Sequence, residues 1–310
     1  MSGFKFSDDN KRYHTLSFHN RKTYGKKMFK AVIDAGFTCP NIDGTKGRGG
    51  CIFCDGGSGY FTNENTLSVS EQLDLESKRI HTKYPDAGIT AYFQAHSNTY
   101  CTSERLRRLI NEAIEWGVDS IAIATRADCL DEEKASFLGS LSIPVTVELG
   151  LQSVHDCTAE KINRCHSYED FLKGYNLLKG FGIRSCVHII NGLPDETTEM
   201  MLSTAKLLGQ LKPEGVKIHL LHVIKGTRLC EMYESGEYTP MKKEEYIGTV
   251  VNQLRFLPPE TVIERITGDG DKTKLVAPLW SKDKISVLGS IDKRMKELDI
   301  YQGDLFGINE

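Results

Sequence analysis

Three cysteines near the start of the sequence have a spacing suited to iron–sulfur chemistry. Cys39, Cys51 and Cys54 form the pattern Cys-x11-Cys-x2-Cys within the glycine-rich segment FTCPNIDGTKGRGGCIFC. A [4Fe–4S] cluster normally takes four cysteine thiolates, so three would leave one iron open to a small molecule. An iron that is open in this way suits radical chemistry with S-adenosylmethionine (SAM). The cofactors that we expect are therefore a [4Fe–4S] cluster and SAM.

Two other interpretations of these cysteines stay open. A structural zinc site also uses Cys-x2-Cys, but it needs four ligands, which usually come as two pairs. The second pair is missing, so His14 or His19 would have to act as a distant fourth ligand. Three unrelated core cysteines are the other alternative, although a glycine-rich loop is a poor place for them. Of the three interpretations, we expect the cluster.

The bulk composition is that of a globular protein in a reducing compartment. The chain has 310 residues, of which 39% are apolar and 26% charged. No apolar run approaches the length of a membrane span, and the opening segment MSGFKFSDDNKRYH lacks the apolar run of a secretory signal. Nine scattered cysteines fit a reducing cytosol better than a disulfide scaffold. We therefore expect a cytoplasmic protein without membrane contact, and nothing in the sequence demands more than a monomer.

Positive charge is concentrated at the amino-terminal end of the chain. The net charge is −3, yet residues 1–30 hold eight lysines and arginines against two aspartates, giving +6 there and −9 elsewhere. Aromatic side chains lie between the basic ones, a combination that single-stranded RNA binding uses. A solvated arm whose charges only aid solubility is the alternative. The expected nucleic-acid contacts are Arg21, Lys22, Lys26 and Lys27.

Short apolar strands alternate with amphipathic helices from about residue 28 to 257, which is typical of repeated β/α units. The predicted strands are 28–34, 89–93, 120–124, 145–149, 184–190 and 216–221. Six strands, each followed by a helix, predict an α/β fold, a partial (βα)6 TIM-like barrel. We expect a basic amino-terminal arm (1–27), the barrel (28–257) and a small carboxyl-terminal extension or lid (258–310).

Local signals place the ends of several predicted helices. Ser68 followed by Glu71 is a capping box, and Ser167 with Asp170 starts a second helix in the same way. Asp131 can cap a third helix, while Gly117 ends the apolar pattern of SERLRRLINEAIEW.

Polar side chains follow every predicted strand, at the end where such barrels carry their active sites. The cysteine loop follows the first strand. The second predicted strand is followed by Gln94, His96, Ser97, Asn98 and Thr99, and the third by Thr125, Arg126 and Asp128. The fourth ends with Glu148, Gln152 and Ser153, the fifth with His188 and Asn191, and the sixth with His219 and His222. Because the carboxyl ends of parallel strands meet at one rim, these residues predict one site.

Six short motifs follow the cysteine loop in order. They are FQAHSNTY (93–100), TRAD (125–128), ELGLQS (148–153), NRCH (163–166), IINGLPDET (189–197) and IKGTRL (224–229). With the cysteine loop, they make the chain resemble the radical SAM superfamily over about residues 28 to 235. It most resembles the bacterial YhcC/YtqA group, whose wider relatives are the Elongator catalytic subunit and the oxygen-independent coproporphyrinogen oxidases.

The resemblance implies a role for each matching residue. Cys39, Cys51 and Cys54 would ligate the cluster, and backbone groups of residues 94–99 would meet the amino group of SAM. Arg164 would pair with the SAM carboxylate, which suits the fork of a guanidinium; a surface salt bridge is its alternative. Glu148 and Gln152 would face the ribose. The remaining SAM-binding candidates are Gln94, His96, Ser97, Asn98, Thr99, Arg126 and Ser153.

Two further residues are candidates for catalysis. His188 stands where porphyrin-type relatives carry an acid, which argues against the same substrate and marks His188 as a substrate contact. A buried, hydrogen-bonded core histidine is the alternative. Cys165 lies between Arg164 and His166, where a catalytic thiol is conceivable. The cysteines outside the loop show no Cys-x2-Cys pairing, so we expect one cluster.

The resemblance implies reductive cleavage of SAM to methionine and a 5′-deoxyadenosyl radical, with an electron from a flavodoxin- or ferredoxin-type donor. We expect tRNA to be the substrate, because YtqA-type proteins are associated with converting carboxymethylaminomethyl to aminomethyl on C5 of the wobble uridine. An oxidoreductase that acts by the same chemistry on a small-molecule or tetrapyrrole substrate is one alternative. A metal-binding protein without catalysis is the other.

Overall fold

A curled parallel sheet lies at the centre of the molecule in the computed structural model, which describes residues 3–55, 65–268 and 270–308. The strands are β1 Met28–Ile33, β2 Gly88–Phe93, β3 Ser120–Thr125, β4 Val145–Gln152, β5 Arg184–Asn191, β6 Gly215–Leu220, β7 Val223–Ile224, β8 Val262–Ile266 and β9 Leu275–Ala277. The main sheet has the order β1-β2-β3-β4-β5-β6-β8, and β7 pairs with β9 in a small antiparallel ribbon. The predicted α/β partial barrel is confirmed.

The main sheet contains seven strands, one more than the six that the sequence predicts for the barrel. The additional strand, β8, comes from the segment that the sequence assigns to the carboxyl-terminal extension. It pairs in parallel with β6, so that Gly215 lies opposite Val262 and Ile218 lies opposite Ile266. Because its apolar residues are buried, β8 extends the barrel wall and does not cover the mouth.

Helices follow the strands and cover the outside of the sheet. They are α1 Leu16–Tyr24, α2 Val69–Lys83, α3 Ser103–Trp116, α4 Glu132–Gly139, α5 Asp156–Lys161, α6 Tyr168–Gly180, α7 Thr198–Leu211, α8 Arg228–Glu234, α9 Lys243–Phe256 and α10 Lys284–Glu297. None of those within the described residues is both long and apolar enough to cross a bilayer. The predicted capping boxes at Ser68 and Ser167, the Asp131 cap and the stop at Gly117 are confirmed.

The strands are buried on both faces, as parallel strands under helices usually are. Five of the six residues of β3 are buried and the sixth is partly buried. The outer faces of the strands pack against the helices in one continuous apolar core. The inner face of the curled sheet is different, because it carries several charged side chains that meet inside the barrel. This polar interior lies directly beneath the carboxyl ends of the strands.

The amino-terminal stretch is folded onto the barrel, in contrast to the predicted arm. The backbone N–H of Ile263 in β8 donates to the carbonyl of His14 at 2.8 Å, and the backbone N–H of Gln302 donates to Arg12 at 2.9 Å. Tyr13 and His14 are 5% and 6% exposed, so these two rings are not available to stack on RNA bases. The positive charge of this stretch can be predicted from composition. Its packing against the barrel cannot, because it depends on residues near the other end of the chain.

Candidate active site

An open cavity of about 420 Å³ lies at the carboxyl ends of the strands. Its volume falls within the usual range for small-molecule sites. All three cysteines of the loop line it, and so do predicted site residues from β4 and β5 and from the segments after β2, β3 and α5. Those predicted residues are Gln94, His96, Ser97, Arg126, Glu148, Gln152, Arg164 and His188. The structure therefore brings the cysteine loop and most of the predicted rim into one site.

The cysteine loop folds through its own backbone hydrogen bonds. The N–H of Ile42 donates to the carbonyl of Cys39 at 2.8 Å, and that of Cys54 donates to Cys51 at 2.9 Å. Gly50 has a φ of 74°, a left-handed conformation that glycine adopts without strain. These turns place the loop beside the cavity, and the glycines between the cysteines allow the backbone to make them.

Two asparagines that the sequence analysis missed fasten the loop to the segment after α5. The amide of Asn41 lies 3.7 Å from the Cys51 sulfur, and the amide of Asn163 donates to the carbonyl of Gly50 at 2.7 Å. A Cβ at Gly47 would lie 2.1 Å from Asn41 Oδ1 and 2.6 Å from the Cys165 sulfur. Only glycine therefore permits this close approach. The motif NRCH (163–166) is thus a platform for the loop.

The three thiols suit an iron–sulfur cluster better than a zinc ion. Burial, together with the neighbouring thiols of Cys54 and Cys39, raises the pKa of the Cys51 thiol to about 12. The thiols are thus close enough for the charge of one to disfavour ionisation of another. A cationic centre is needed to hold all three as thiolates. Three cysteine ligands match a cluster that keeps one iron open, whereas a structural zinc ion would need a fourth protein ligand.

The zinc interpretation also fails on its proposed fourth ligand. His14 is tied by its ring to the carbonyl of Glu260 at 3.0 Å. His19 lines a different cavity, which lies beneath the amino ends of the strands. Both histidines are therefore at the end of the barrel away from the cysteine loop, where neither can share a ligand set with it.

Arg164 and Gln152 each present an unsatisfied polar atom at the cavity. Arg164 is 1% exposed and donates to the carbonyls of Leu151 and, at 2.7 Å, Ser153. Its Nη2 has no hydrogen-bond partner within the part of the chain that the structure describes, and neither has Oε1 of Gln152. The nearest carboxylate to Nη2 is Asp156 at 3.8 Å. Burial lowers the pKa of Arg164 to about 10, so a bound carboxylate would offset a real desolvation cost.

The loop after β2 divides into cavity-lining and supporting residues. Gln94, His96 and Ser97 line the cavity. Asn98 and Thr99 are fully buried and do not line it. The Asn98 amide donates to the carbonyl of Ala124 at 2.9 Å, and the hydroxyl of Thr99 lies 2.6 Å from that of Thr125. They therefore join the ends of β2 and β3 and can act on a ligand only through the loop.

Arg126 and Ser153 also have structural partners. Arg126 makes two hydrogen bonds of 2.9 Å to Asp128, and its Nη1 donates to the carbonyl of Arg164 at 2.7 Å. Although burial opposes it, the hydrogen bonds that Asp128 accepts from Arg126 and Lys46 lower the pKa of Asp128 to about 2. Ser153 is fully buried, donates to Glu196 and does not line the cavity. Both residues thus support the segment that carries Arg164.

Glu148 is the centre of a buried polar network, which we call the interior cluster: Lys30, Tyr92, Glu148, His188 and Lys217. One carboxylate oxygen accepts from Lys30, and the other accepts from Tyr92 at 2.7 Å, His188 at 3.0 Å and Lys217 at 2.5 Å. Burial opposes ionisation, but the two ammonium groups hold the pKa of Glu148 well below its ordinary value. Glu148 is thus occupied by protein partners, which argues against the predicted contact with the SAM ribose.

Sequence reasoning missed Lys30, Tyr92 and Lys217. The available signal is a lysine within an apolar strand, as in MFKAVI and GVKIHL. Lysine is almost never fully buried unless it is paired.

The two predicted catalytic residues have different positions. His188 lines the cavity, and burial together with the charge of Lys217 lowers its pKa to about 4. It is therefore neutral near pH 7 and donates through Nε2 to Glu148. The Cys165 sulfur lies 3.3 Å from Oδ1 of Asn163, behind the cysteine loop, and does not line the cavity. Geometry therefore favours His188 as a substrate contact and gives Cys165 a packing role.

The predicted nucleic-acid contacts lie at the amino end of the sheet. Lys26 and Lys27 directly precede β1, and Lys26 pairs with Asp119, just before β3, at 2.6 Å. Arg21 pairs with Asp8 at 2.6 Å, and Lys22 lies over the ring of Phe18. The cysteines are at the opposite end of the strands. A single RNA could contact both only by reaching along the outside of the barrel.

The curled β/α barrel and its three-cysteine cavity define a class of enzyme, and a comparison with protein families agrees. The Radical SAM superfamily matches residues 42–208, and the Radical_SAM C-terminal domain matches residues 213–297. The chain belongs to the radical SAM superfamily and is a radical SAM enzyme. Enzymes of this family use a [4Fe–4S] cluster and SAM, as the cysteine loop predicts.

Within this family the chain is similar to two bacterial proteins along nearly its whole length. It is 43% identical over 307 residues to the uncharacterized protein YtqA of Bacillus subtilis, covering 98% of this chain and 95% of YtqA. It is 31% identical over 290 residues to protein YhcC of Escherichia coli K12, covering 92% of this chain and 93% of YhcC. The predicted resemblance to the YhcC/YtqA group is confirmed.

More distant similarity extends to archaeal proteins. The chain is 31% identical over 197 residues to a protein of Methanocaldococcus jannaschii named tRNA uridine(34) acetyltransferase, covering 63% of this chain and 36% of that protein. The solved structure of Methanocaldococcus infernus Elp3 with an N-terminal deletion matches with a TM-score of 0.67 and 20% identity, covering 89% of this chain and 64% of Elp3. At that identity, the structural match establishes the fold alone.

Proposed function

We propose that this radical SAM enzyme modifies tRNA, converting the carboxymethylaminomethyl group on C5 of the wobble uridine into aminomethyl. The observation that carries the RNA part is the 31% identity with a protein named for tRNA uridine 34, which is the wobble position. The open cavity supports the proposal, because an exposed nucleoside can enter it from outside. The electron donor would be a flavodoxin- or ferredoxin-type protein, and the enzyme would act as a cytoplasmic monomer.

The proposed reaction is balanced without a further oxidant. Bound to Cys39, Cys51 and Cys54, the cluster with SAM would supply a 5′-deoxyadenosyl radical that abstracts hydrogen. The substrate carbon between the secondary amine and the carboxylate is oxidised, water cleaves its C–N bond, and glyoxylate leaves aminomethyluridine. The two reducing equivalents end in methionine and 5′-deoxyadenosine, the reduced products of SAM.

The protein's own share of this chemistry is binding and exclusion of water. Arg164 and Gln152 would hold SAM through their unsatisfied polar atoms. Neutral His188, fixed by Glu148, would face the substrate. Apolar residues of the same cavity would shield the radical from bulk solvent until the substrate carbon has been oxidised and water is needed to cleave its C–N bond, and among them are Phe53, Ile190, Leu221 and Ile224.

The proposal is tested by an anaerobic assay of the reconstituted protein with SAM and dithionite. We expect 5′-deoxyadenosine and glyoxylate to form in step with aminomethyluridine when the tRNA carries carboxymethylaminomethyluridine. The matched substrate is the same tRNA with an unmodified wobble uridine, which should give neither glyoxylate nor aminomethyluridine. Formation of 5′-deoxyadenosine with no change in any wobble uridine would reject the tRNA substrate while leaving radical SAM chemistry intact.

The role of Arg164 gives a prediction about SAM affinity. Arg164→Lys keeps the charge but loses the fork that reaches both the main-chain carbonyls and a carboxylate. We expect the Kd for SAM to rise about 10- to 100-fold, the value of one hydrogen bond to a charged group. Equilibrium dialysis of SAM against the anaerobic holoenzyme measures this change.

A matched control for Arg164 is Arg105→Lys. Arg105 also donates to two main-chain carbonyls, those of Ala35 at 2.8 Å and Gly36 at 3.0 Å, but it does not line the cavity. Its SAM affinity should equal that of the wild type. Equal SAM affinity for Arg164→Lys and wild type would reject the contact with the SAM carboxylate.

A further inference from the structure

Asn41 is a buried polar side chain inside the cysteine loop. It lies two residues after Cys39 and has no exposed surface. Its main-chain carbonyl accepts from the N–H of Gly50 at 2.9 Å, which fixes its backbone within the loop. A buried amide is costly unless it makes hydrogen bonds, so the contacts of this side chain indicate what it is used for.

The orientation of the Asn41 amide follows from its neighbours. Its Nδ2 donates to the main-chain carbonyl of Asn163 and lies 3.7 Å from the sulfur of Cys51. Both neighbours are acceptors, so a rotated amide would direct Oδ1 at two atoms that carry lone pairs. Oδ1 instead lies beside Gly47, without a hydrogen-bond partner among the described residues. The two hydrogens of Nδ2 can therefore bond to the carbonyl and to the sulfur at once.

A hydrogen bond to a cysteine sulfur changes how readily a bound iron–sulfur cluster accepts an electron. Reduction adds negative charge, which the cluster shares with the sulfur atoms of its ligands. A donor to one of these sulfurs therefore interacts more strongly with the reduced cluster, and the reduction potential becomes less negative. Burial strengthens the effect, because water does not compete for the sulfur.

We propose that Asn41 is a positioning residue that raises the reduction potential of the cluster through its hydrogen bond to Cys51. The electron concerned is the one that reaches the cluster before SAM is cleaved. The inference therefore holds for any substrate of this radical SAM enzyme and does not depend on the tRNA proposal. Its consequence is that an electron donor of less negative potential suffices to reduce the cluster.

Asn41→Leu tests the inference, because leucine has the same branched arrangement of heavy atoms as asparagine but no donor. The reduction potential of the reconstituted holoprotein without SAM is measured by a redox titration followed by electron paramagnetic resonance. At a fixed solution potential, we expect the ratio of reduced to oxidised cluster to fall about fivefold, the value of one net hydrogen bond. That change corresponds to a potential about 40 mV more negative for a one-electron couple.

The matched control is Asn163→Gly. The Asn163 amide also fastens the loop, since it donates to the main-chain carbonyls of Arg48 at 3.1 Å and Gly50 at 2.7 Å. Glycine tolerates the left-handed backbone at this position, where φ is 54°, and it keeps the carbonyl that Asn41 binds. A looser loop admits water, which stabilises the more highly charged reduced cluster. This variant should therefore have the wild-type potential or a less negative one.

The direction of the shift separates the two possible roles of Asn41. If Asn41 only held the loop together, Asn41→Leu would also admit water, and its potential would be unchanged or less negative. Either of these results, in a variant that binds about four irons per chain, would overturn the inference.

A measurement on the wild-type protein does not depend on how well Asn41→Leu assembles. The holoprotein is prepared with asparagine that carries ¹⁵N in the side-chain amide, and the reduced cluster is studied by pulsed electron paramagnetic resonance. We expect a ¹⁵N hyperfine coupling that persists in Asn163→Gly. Absence of the coupling, or its loss in Asn163→Gly, would overturn the inference. A wild-type protein without iron and sulfide would reject the cluster itself and this inference with it.

Discussion

Cys51→Ala is expected to abolish the cluster and, with it, all cleavage of SAM. Cys51 lies beside Asn41 and close to the thiols of Cys39 and Cys54, so its loss removes one of the three expected cluster ligands. With two cysteines left, the cluster lacks the ligands that it needs. Anaerobic reconstitution should yield a colourless protein with background iron and sulfide, and no 5′-deoxyadenosine should appear with SAM and dithionite.

The matched control for this variant is Cys157→Ala. Cys157 is exposed, lies in α5 and does not line the cavity. Its variant should bind about four irons and give wild-type yields of 5′-deoxyadenosine. Cys165→Ala is a second comparison, since a catalytic thiol would lose turnover while the cluster remained. Wild-type iron and sulfide in Cys51→Ala would reject the assignment of the loop as the cluster site.

Removal of the Glu148 charge should cause the largest loss of stability in the barrel. Glu148→Gln leaves Lys30 and Lys217 facing each other without their shared carboxylate. Breaking a buried ion pair in this way typically costs about 3–5 kcal/mol in the free energy of unfolding. Urea denaturation at neutral pH, followed by circular dichroism, measures the loss.

The pH dependence of stability provides a second measurement on Glu148. Its folded pKa lies below the ordinary value of 4.5, so its stabilising contribution is fully present above that pH. The contribution falls as the pH drops from 4.5 toward the folded pKa, where the carboxylate takes up a proton. Since glutamine does not titrate, the difference between wild type and Glu148→Gln should shrink over the same acidic range.

Two further variants make the Glu148 prediction specific. The double variant Glu148→Gln, Lys217→Met removes one cation as well, so it should be more stable than the single variant. Glu231→Gln breaks an exposed pair of 2.7 Å with Arg228 and should leave the denaturation midpoint unchanged, because surface pairs contribute little. Equal stability of Glu148→Gln and wild type at neutral pH would contradict the role of the interior cluster.

Features that depend on nearby residues were predictable from the sequence. The cysteine loop, the helix caps and the order of the strands each rest on a short local pattern. The rim could be predicted because parallel strands bring their carboxyl ends together, whatever the details of packing. Gln152 was selected partly on this ground, whereas Arg164 was selected through the family resemblance, before the unsatisfied atoms of either residue were visible.

Features that depend on distant contacts could not be predicted in the same way. Lys30 and Lys217 meet Glu148 across 118 and 69 residues of chain, and composition does not say which buried charges will pair. The amino-terminal stretch is held by Gln302, which lies 288 residues beyond His14. Its basic and aromatic content therefore suggested RNA binding, whereas the rings of Tyr13 and His14 are used in packing.

The docking of this stretch also protects the sheet. An open sheet ends in strands whose free N–H and C=O groups can pair with another chain and begin aggregation. At β8 the backbone of Ile263 instead donates to His14, and Thr15 forms a parallel bridge with Ile263. The amino-terminal residues thus cover part of the free edge of β8. This part of the open sheet is therefore not available to pair with a strand of another molecule.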